Sequence, residues 1–103
     1  MKYNIILSDS FKIDLQKISD YIAFTLENKK AAAELVILTK AEVASLSEFP
    51  NSCPLCAEPR LASKQIRKLI IKNFIVLYRT DAQNKEVHVL RMVYCRQNYS
   101  TFF

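Results

Sequence analysis

Cys53 and Cys56, in the run Cys53-Pro54-Leu55-Cys56, have the spacing of half a zinc site, and Cys95 with His88 would complete four ligands. A second close pair is missing, however. His88 and Cys95 stand seven positions apart on one strand-like segment, roughly 23 Å at strand rise, so both cannot readily reach one ion. No metal is expected. The same separation gives Cys95 and His88 no reason to meet as nucleophile and base. Three cysteines are an odd count, which fits free thiols in a reducing compartment better than a disulfide framework. Glycine is absent altogether, so neither common glycine-rich phosphate loop can form, and nucleotide-binding enzymes of those classes drop out. No cofactor is expected.

The remaining polar chemistry is cationic. The net charge is +5, but the chain up to Asn51 carries six basic and seven acidic residues, whereas the rest carries nine and three. Nearly all the excess positive charge therefore lies in the second half, which points to a polyanionic or acidic partner there. Lys64, Arg67, Lys68 and Lys72 are the first cluster. If their segment is a regular strand, Lys68 and Lys72 share one face and Arg67 takes the other, so they are either split over two faces or part of a solvated edge. Arg91 shares parity with Val87, Val89 and Val93, which puts a charge among apolar neighbours. It either pairs with a carboxylate or opens onto a partner's groove.

The elements that position these residues follow from hydrophobic period. Tyr3 to Leu7 is short, apolar and partly β-branched and stops at Ser8-Asp9-Ser10, a strand running into a helix cap. Phe11, Leu15, Ile18, Ile22 and Leu26 then recur at helical spacing and predict one amphipathic helix over roughly 9–27. After Asn28-Lys29-Lys30, a second stripe of Ala32, Leu35, Val36, Thr39, Val43 and Leu46 predicts a second helix packed antiparallel to the first. Residues 49–60 hold all three prolines and read as a long loop. Ile66 to Lys72 and Phe74 to Arg79 are β-rich runs around a turn at Lys72-Asn73. Asp81 to Lys85 is a second polar turn, before a strand from Val87 to Tyr94. The fold class is α+β in the order β-α-α-β-β-β, an antiparallel sheet with an N-terminal helix hairpin packed on one face. At 103 residues it makes a single domain. The longest apolar runs are far short of the roughly 20 residues that cross a bilayer. The N-terminal apolar stretch also ends before a signal-peptide core develops, so a cytoplasmic protein with no membrane partner is expected.

The pattern Arg60-Leu61-Ala62-Ser63-Lys64, then Ile66 to Arg79, then Val87 to Tyr99 resembles the RelE/ParE toxin family, and the likeness covers nearly the whole chain. It implies the growth-inhibiting, plasmid-stabilising toxin of a type II toxin-antitoxin pair, silenced by a small acidic antitoxin. The business end would lie at a basic sheet face and the C-terminal tail. Family members that cleave messenger RNA on the ribosome resemble this chain at Arg96 and Tyr99. They usually also carry an Arg where Ile75 stands, and some a His where Asn98 stands. RNA cleavage needs a base, a cation on the phosphate and an acid for the leaving oxygen. Ile75 supplies none of these, and Asn98 cannot transfer a proton near neutral pH. Tyr99 would serve as base only with its pKa lowered from about 10. An aliphatic residue at Ile75 resembles instead the branch that binds DNA gyrase. The resemblance thus leaves three readings: a gyrase-binding toxin, a ribosome-dependent endoribonuclease with Arg96 and Tyr99 as catalytic residues, or an inactive homologue. For the first, the target-binding residues are Lys64, Arg67, Lys68, Lys72, Arg91 and Arg96.

Overall fold

The computed structural model describes residues 2–103. Strand β1 (Asn4–Leu7) gives way to helix α1 (Asp9–Asp20) at a single residue, Ser8. The Ser8 hydroxyl accepts the Phe11 N–H at 3.0 Å and donates to the Leu90 carbonyl at 2.7 Å. One side chain thus caps the helix, a contribution of about 1 kcal/mol, and fastens its start to the sheet.

The expected helix over 9–27 is shorter. It gives way at Tyr21 to a π-helical turn, Tyr21–Thr25, closed by the Leu26 N–H on the Tyr21 carbonyl at 3.0 Å. The wider turn breaks the 3.6-residue period on which the stripe was read. Phe11 is buried and Leu15, Ile18 and Ile22 pack against the core, but Leu26 is exposed, as are Tyr21 and Phe24. Helix α2 (Lys29–Ser45) starts at Asn28, whose side chain accepts the Ala31 N–H at 3.0 Å. It buries Ala32, Leu35, Thr39 and Val43, as the second stripe predicts. Among the described residues no helix is long and apolar enough to cross a membrane.

The proline-rich segment is not loop throughout. Helix α3 (Pro59–Ser63) is built on Glu58, whose carboxylate accepts the Leu61 N–H at 3.1 Å, with Pro59 in the first turn where its missing donor costs nothing. Strands β2 (Arg67–Ile71), β3 (Phe74–Asp81) and β4 (Glu86–Tyr94) follow as an antiparallel meander. The sheet order is β1-β4-β3-β2. The α+β class and the helix hairpin hold, but the sheet is mixed, because β1 lies parallel to β4 in the register Asn4↔Glu86 to Leu7↔Val89. No hairpin turn ties β1 to its neighbour; the whole helix pair intervenes, so local sequence leaves its direction unset.

Each face of the sheet has a core. Leu69, Ile71, Val76, Tyr78, Val87, Val89 and Met92 meet the helices through Phe11, Leu35, Val43 and Leu46. On the other face Ile75, Leu77 and Val93 are covered by Cys56, Leu61 and Ile66, with Leu90, Tyr99 and Phe103 packed around them. The α3 segment and the tail thus roof the face expected to be open.

Without glycine, four ordinary residues among those described take left-handed backbone: Glu27, Gln65, Lys72 and Lys85, with φ of 53° to 59°. Glu27 is exposed and follows the π-turn where helices favour glycine. Glu27→Gly should therefore raise stability by about 0.5–1 kcal/mol, the left-handed penalty less the extra chain entropy. A melting temperature equal to or below that of the parent chain would contradict this.

Candidate functional site

Strand β4 is not regular, so the parity that groups Arg91 with Val87 and Val89 breaks. Leu77 pairs with Arg91 and Tyr78 with Val89, so Leu90 is left as the extra residue of a β-bulge. Val87 and Val89 face the helices, while Arg91 and Val93 face the other side. The bulge takes the charge away from Val87 and Val89 and leaves it beside Leu77 and Val93. Of the two fates open to Arg91, pairing is the one observed: its Nε donates to Asp14 Oδ2 at 2.7 Å and its Nη2 to Asp14 Oδ1 at 3.0 Å. Asp14 Oδ2 also accepts the Met92 N–H at 3.0 Å. Since β1 ends opposite Val89, the edge of β4 beyond it has no partner strand, and the Asp14 carboxylate takes that place. Asp14 holds the Arg91 pKa above its ordinary value. The Phe102 ring lies 4.1 Å from the guanidinium carbon, so the same arginine also anchors the tail.

The other cations divide by face. Arg67 shares the helix-facing side with Leu69 and Ile71, and its Nη1 donates to the Cys53 carbonyl at 2.6 Å. Lys68 is on the opposite side, in the cross-strand row Lys68, Leu77, Arg91. Lys64, at the end of α3, donates to the Phe103 carbonyl at 2.6 Å. Lys72 is exposed in the β2–β3 turn and Arg96 is exposed after β4. Lys68 and Arg91 therefore share a face, with Lys64 bonded to the tail that roofs it. Arg67 does not join them, and Lys72 and Arg96 lie beyond the strand rows. Arg67, Arg91 and Lys64 are engaged in holding structure. Lys68, Lys72 and Arg96 form no salt bridge among the described residues. Sequence reasoning passed over Arg79, exposed on the Lys68 face in register with His88; alternation from Ile75 and Leu77 would have found it.

Tyr99 opens a 3-10 turn (Tyr99–Phe102) and is half-buried against the second core. Burial pushes its phenol pKa up, and Cys56 adds to this. The proton is thus held more firmly than in a free tyrosine, the opposite of what a general base needs. All three cysteines are free: Cys95 exposed, Cys53 intermediate, Cys56 buried with its thiol pKa raised chiefly by desolvation. Thiol titration of the native chain should show Cys95 reacting fast, Cys53 slowly and Cys56 only on unfolding. Fast modification of Cys56 in the folded chain would contradict the roof over the second core.

On the helix side, the end of α1 and the π-turn stand off the β2–β3 turn and leave an apolar groove of about 600 Å³. Ile18, Ile22, Phe74 and Tyr94 form its walls, and the charged residues lining it are Lys17 and Lys72. An apolar floor with a purely cationic rim suits an acidic amphipathic segment.

The sequence from residue 5 to 99 matches the family described as the ParE toxin of type II toxin-antitoxin system, parDE. A comparison with curated proteins returns no match. Among solved structures the chain is similar to one in the chromosomal ParDE toxin-antitoxin system of P. aeruginosa, with TM-score 0.72 and 20% identity over 90% of this chain and 96% of that one. It is similar also to one in the RelBE2 toxin-antitoxin complex of Mycobacterium tuberculosis, with TM-score 0.61 and 21% identity over 91% and 99%. A free-state mutant of the toxin RelE from E. coli superposes with TM-score 0.66 at 12% identity over 99% and 93%. At these identities the structural likeness speaks for the fold.

Proposed function

This chain belongs to the ParE toxin family of type II toxin-antitoxin systems, and from that premise we propose that it arrests growth by binding a DNA topoisomerase of the gyrase kind rather than by cutting RNA. The observation that carries the reading is the state of the positions where cleavage chemistry would sit. Ile75, the counterpart of a cleaving relative's Arg, is buried in the second core, with apolar Ile70 and Val93 as its cross-strand neighbours. Tyr99, the candidate base, has a raised pKa, and even an unshifted tyrosine is less than about 1% phenolate near neutral pH. Arg91 is neutralised by Asp14. What remains for another molecule is a set of cations with no ion-pair partner among the described residues, Lys68, Lys72 and Arg96, with Arg79 on the same face as Lys68.

The partner that silences the chain is a cognate antitoxin, the second component of the toxin-antitoxin complex RelBE2 and of the ParDE toxin-antitoxin system to which the similar chains belong. The groove rimmed by Lys17 and Lys72 fits an acidic, partly disordered segment of it that orders on binding. The free thiols suit a cytoplasmic setting. Adding the purified chain to gyrase and relaxed plasmid tests the target directly. Inhibition of supercoiling, relieved by the antitoxin, is expected, and unchanged supercoiling at saturating chain would overturn the reading.

A further inference from the structure

We propose that Asp81, Glu86 and His88 bind a divalent transition-metal ion of the zinc type on the uncovered part of the second sheet face. Asp81 and Glu86 are direct register partners on β3 and β4, and His88 stands two residues further along β4 on the same face. The α3 segment and the tail cover the face over Ile75, Leu77 and Val93; these three side chains lie outside that core and are half-buried. His88 Nε2 lies 3.2 Å from Glu86 Oε1, and one donor atom from each of the three residues falls within 4.8 Å of the others. Donors bound tetrahedrally at about 2.1 Å stand about 3.4 Å apart. The His88–Glu86 pair already meets that spacing, and an Asp81 oxygen lies within 4.8 Å of both.

The arrangement is costly without a cation. Two carboxylates directly opposite on neighbouring strands repel each other. Asp81 is held in place by Asn84, whose backbone N–H donates to Oδ1 at 3.1 Å and whose side-chain amide donates to Oδ2 at 2.8 Å. These bonds keep the Asp81 pKa below its usual range, and each oxygen retains a lone pair for a metal. Two carboxylates and a neutral imidazole balance a dication, and the imidazole selects zinc-like ions over magnesium or calcium. Of the nearby cations, Lys85 is turned onto the Tyr3 ring, 5.3 Å from its centroid. Arg79, in register with His88, is exposed and has no ion-pair partner among the described residues; it opposes a cation here, as does Lys64, which lines one cavity with Arg79 and Asp81. Metal-like spacing in the sequence lies at the cysteines, whereas this set is made by strand register.

Titration of the full chain with zinc alone, followed by calorimetry and by the ring-nitrogen resonances of His88, tests the proposal. One ion per chain should bind with micromolar affinity, shift the His88 Nε2 signal, and weaken in acid, where protons compete for the donor atoms. His88→Ala and Asp81→Asn should each weaken binding by about tenfold or more, the second variant keeping the imidazole in case the first perturbs the strand. Cobalt in place of zinc should give a spectrum without a thiolate charge-transfer band. Absence of saturable one-to-one binding, affinity unchanged in both variants, or a cobalt–thiolate band would each overturn the assignment.

Discussion

Asp14→Ala should lower the stability of the domain by about 2–3 kcal/mol and its melting temperature by about 10 °C. The Asp14 carboxylate accepts three hydrogen bonds, two from Arg91 and one from the Met92 N–H. Its side chain is 12% exposed and that of Arg91 27%. Removing it leaves a guanidinium and a strand-edge donor unpaired in a partly dry position, and frees the arginine on which Phe102 rests. Loss of a fully buried partner would cost about 3–5 kcal/mol; the exposure of Arg91 discounts that. Asp14→Asn, which keeps the shape and one acceptor, should lose about half as much. Thermal and denaturant unfolding of the three chains checks this. A loss below about 0.5 kcal/mol for the alanine variant would mean that the pair behaves as an ordinary surface bridge.

The combined variant Lys68→Glu, Lys72→Glu and Arg96→Glu should abolish growth arrest, raising plating efficiency on induction by at least about a hundredfold, while leaving the unfolding transition within about 1 kcal/mol of the parent. No ion pair involves these side chains among the described residues, so reversing them has little folded structure to break. Against an acidic or polyanionic surface each reversal costs on the order of 1 kcal/mol or more in binding, which over three sites exceeds a hundredfold in affinity. Arg67→Glu makes the contrast. It removes the bond to the Cys53 carbonyl and should act through stability. Full toxicity in the triple variant would remove these cations from the account.

The helices were legible because their buried positions recur at helical spacing, and they remained so up to the π-turn, where a change of period moved Leu26 off the stripe. The β2–β3 and β3–β4 hairpins were legible because each turn is local and polar. The direction of β1 was not, because it depends on docking against β4 after the rest of the chain. Nor was the bulge at Leu90, without which Arg91 reads as facing the wrong way. Helix α3 lay hidden among prolines, although Glu58-Pro59 carries a cap and first-turn signature. For the site, sequence could name the cations but could not separate those tied into the structure from those left over. The partner of Arg91 is 77 positions away, and the carbonyls that hold Arg67 and Lys64 belong to a loop and a tail with no pattern to read.

Primer extension on transcripts from cells arrested by the chain, with a DNA-damage reporter read in the same culture, tests binding against chemistry most directly. Intact messenger RNA together with an induced damage response is the expected outcome. Codon-phased cuts that vanish in Arg96→Ala, with the reporter silent, would contradict it and make Arg96 and Tyr99 an active site.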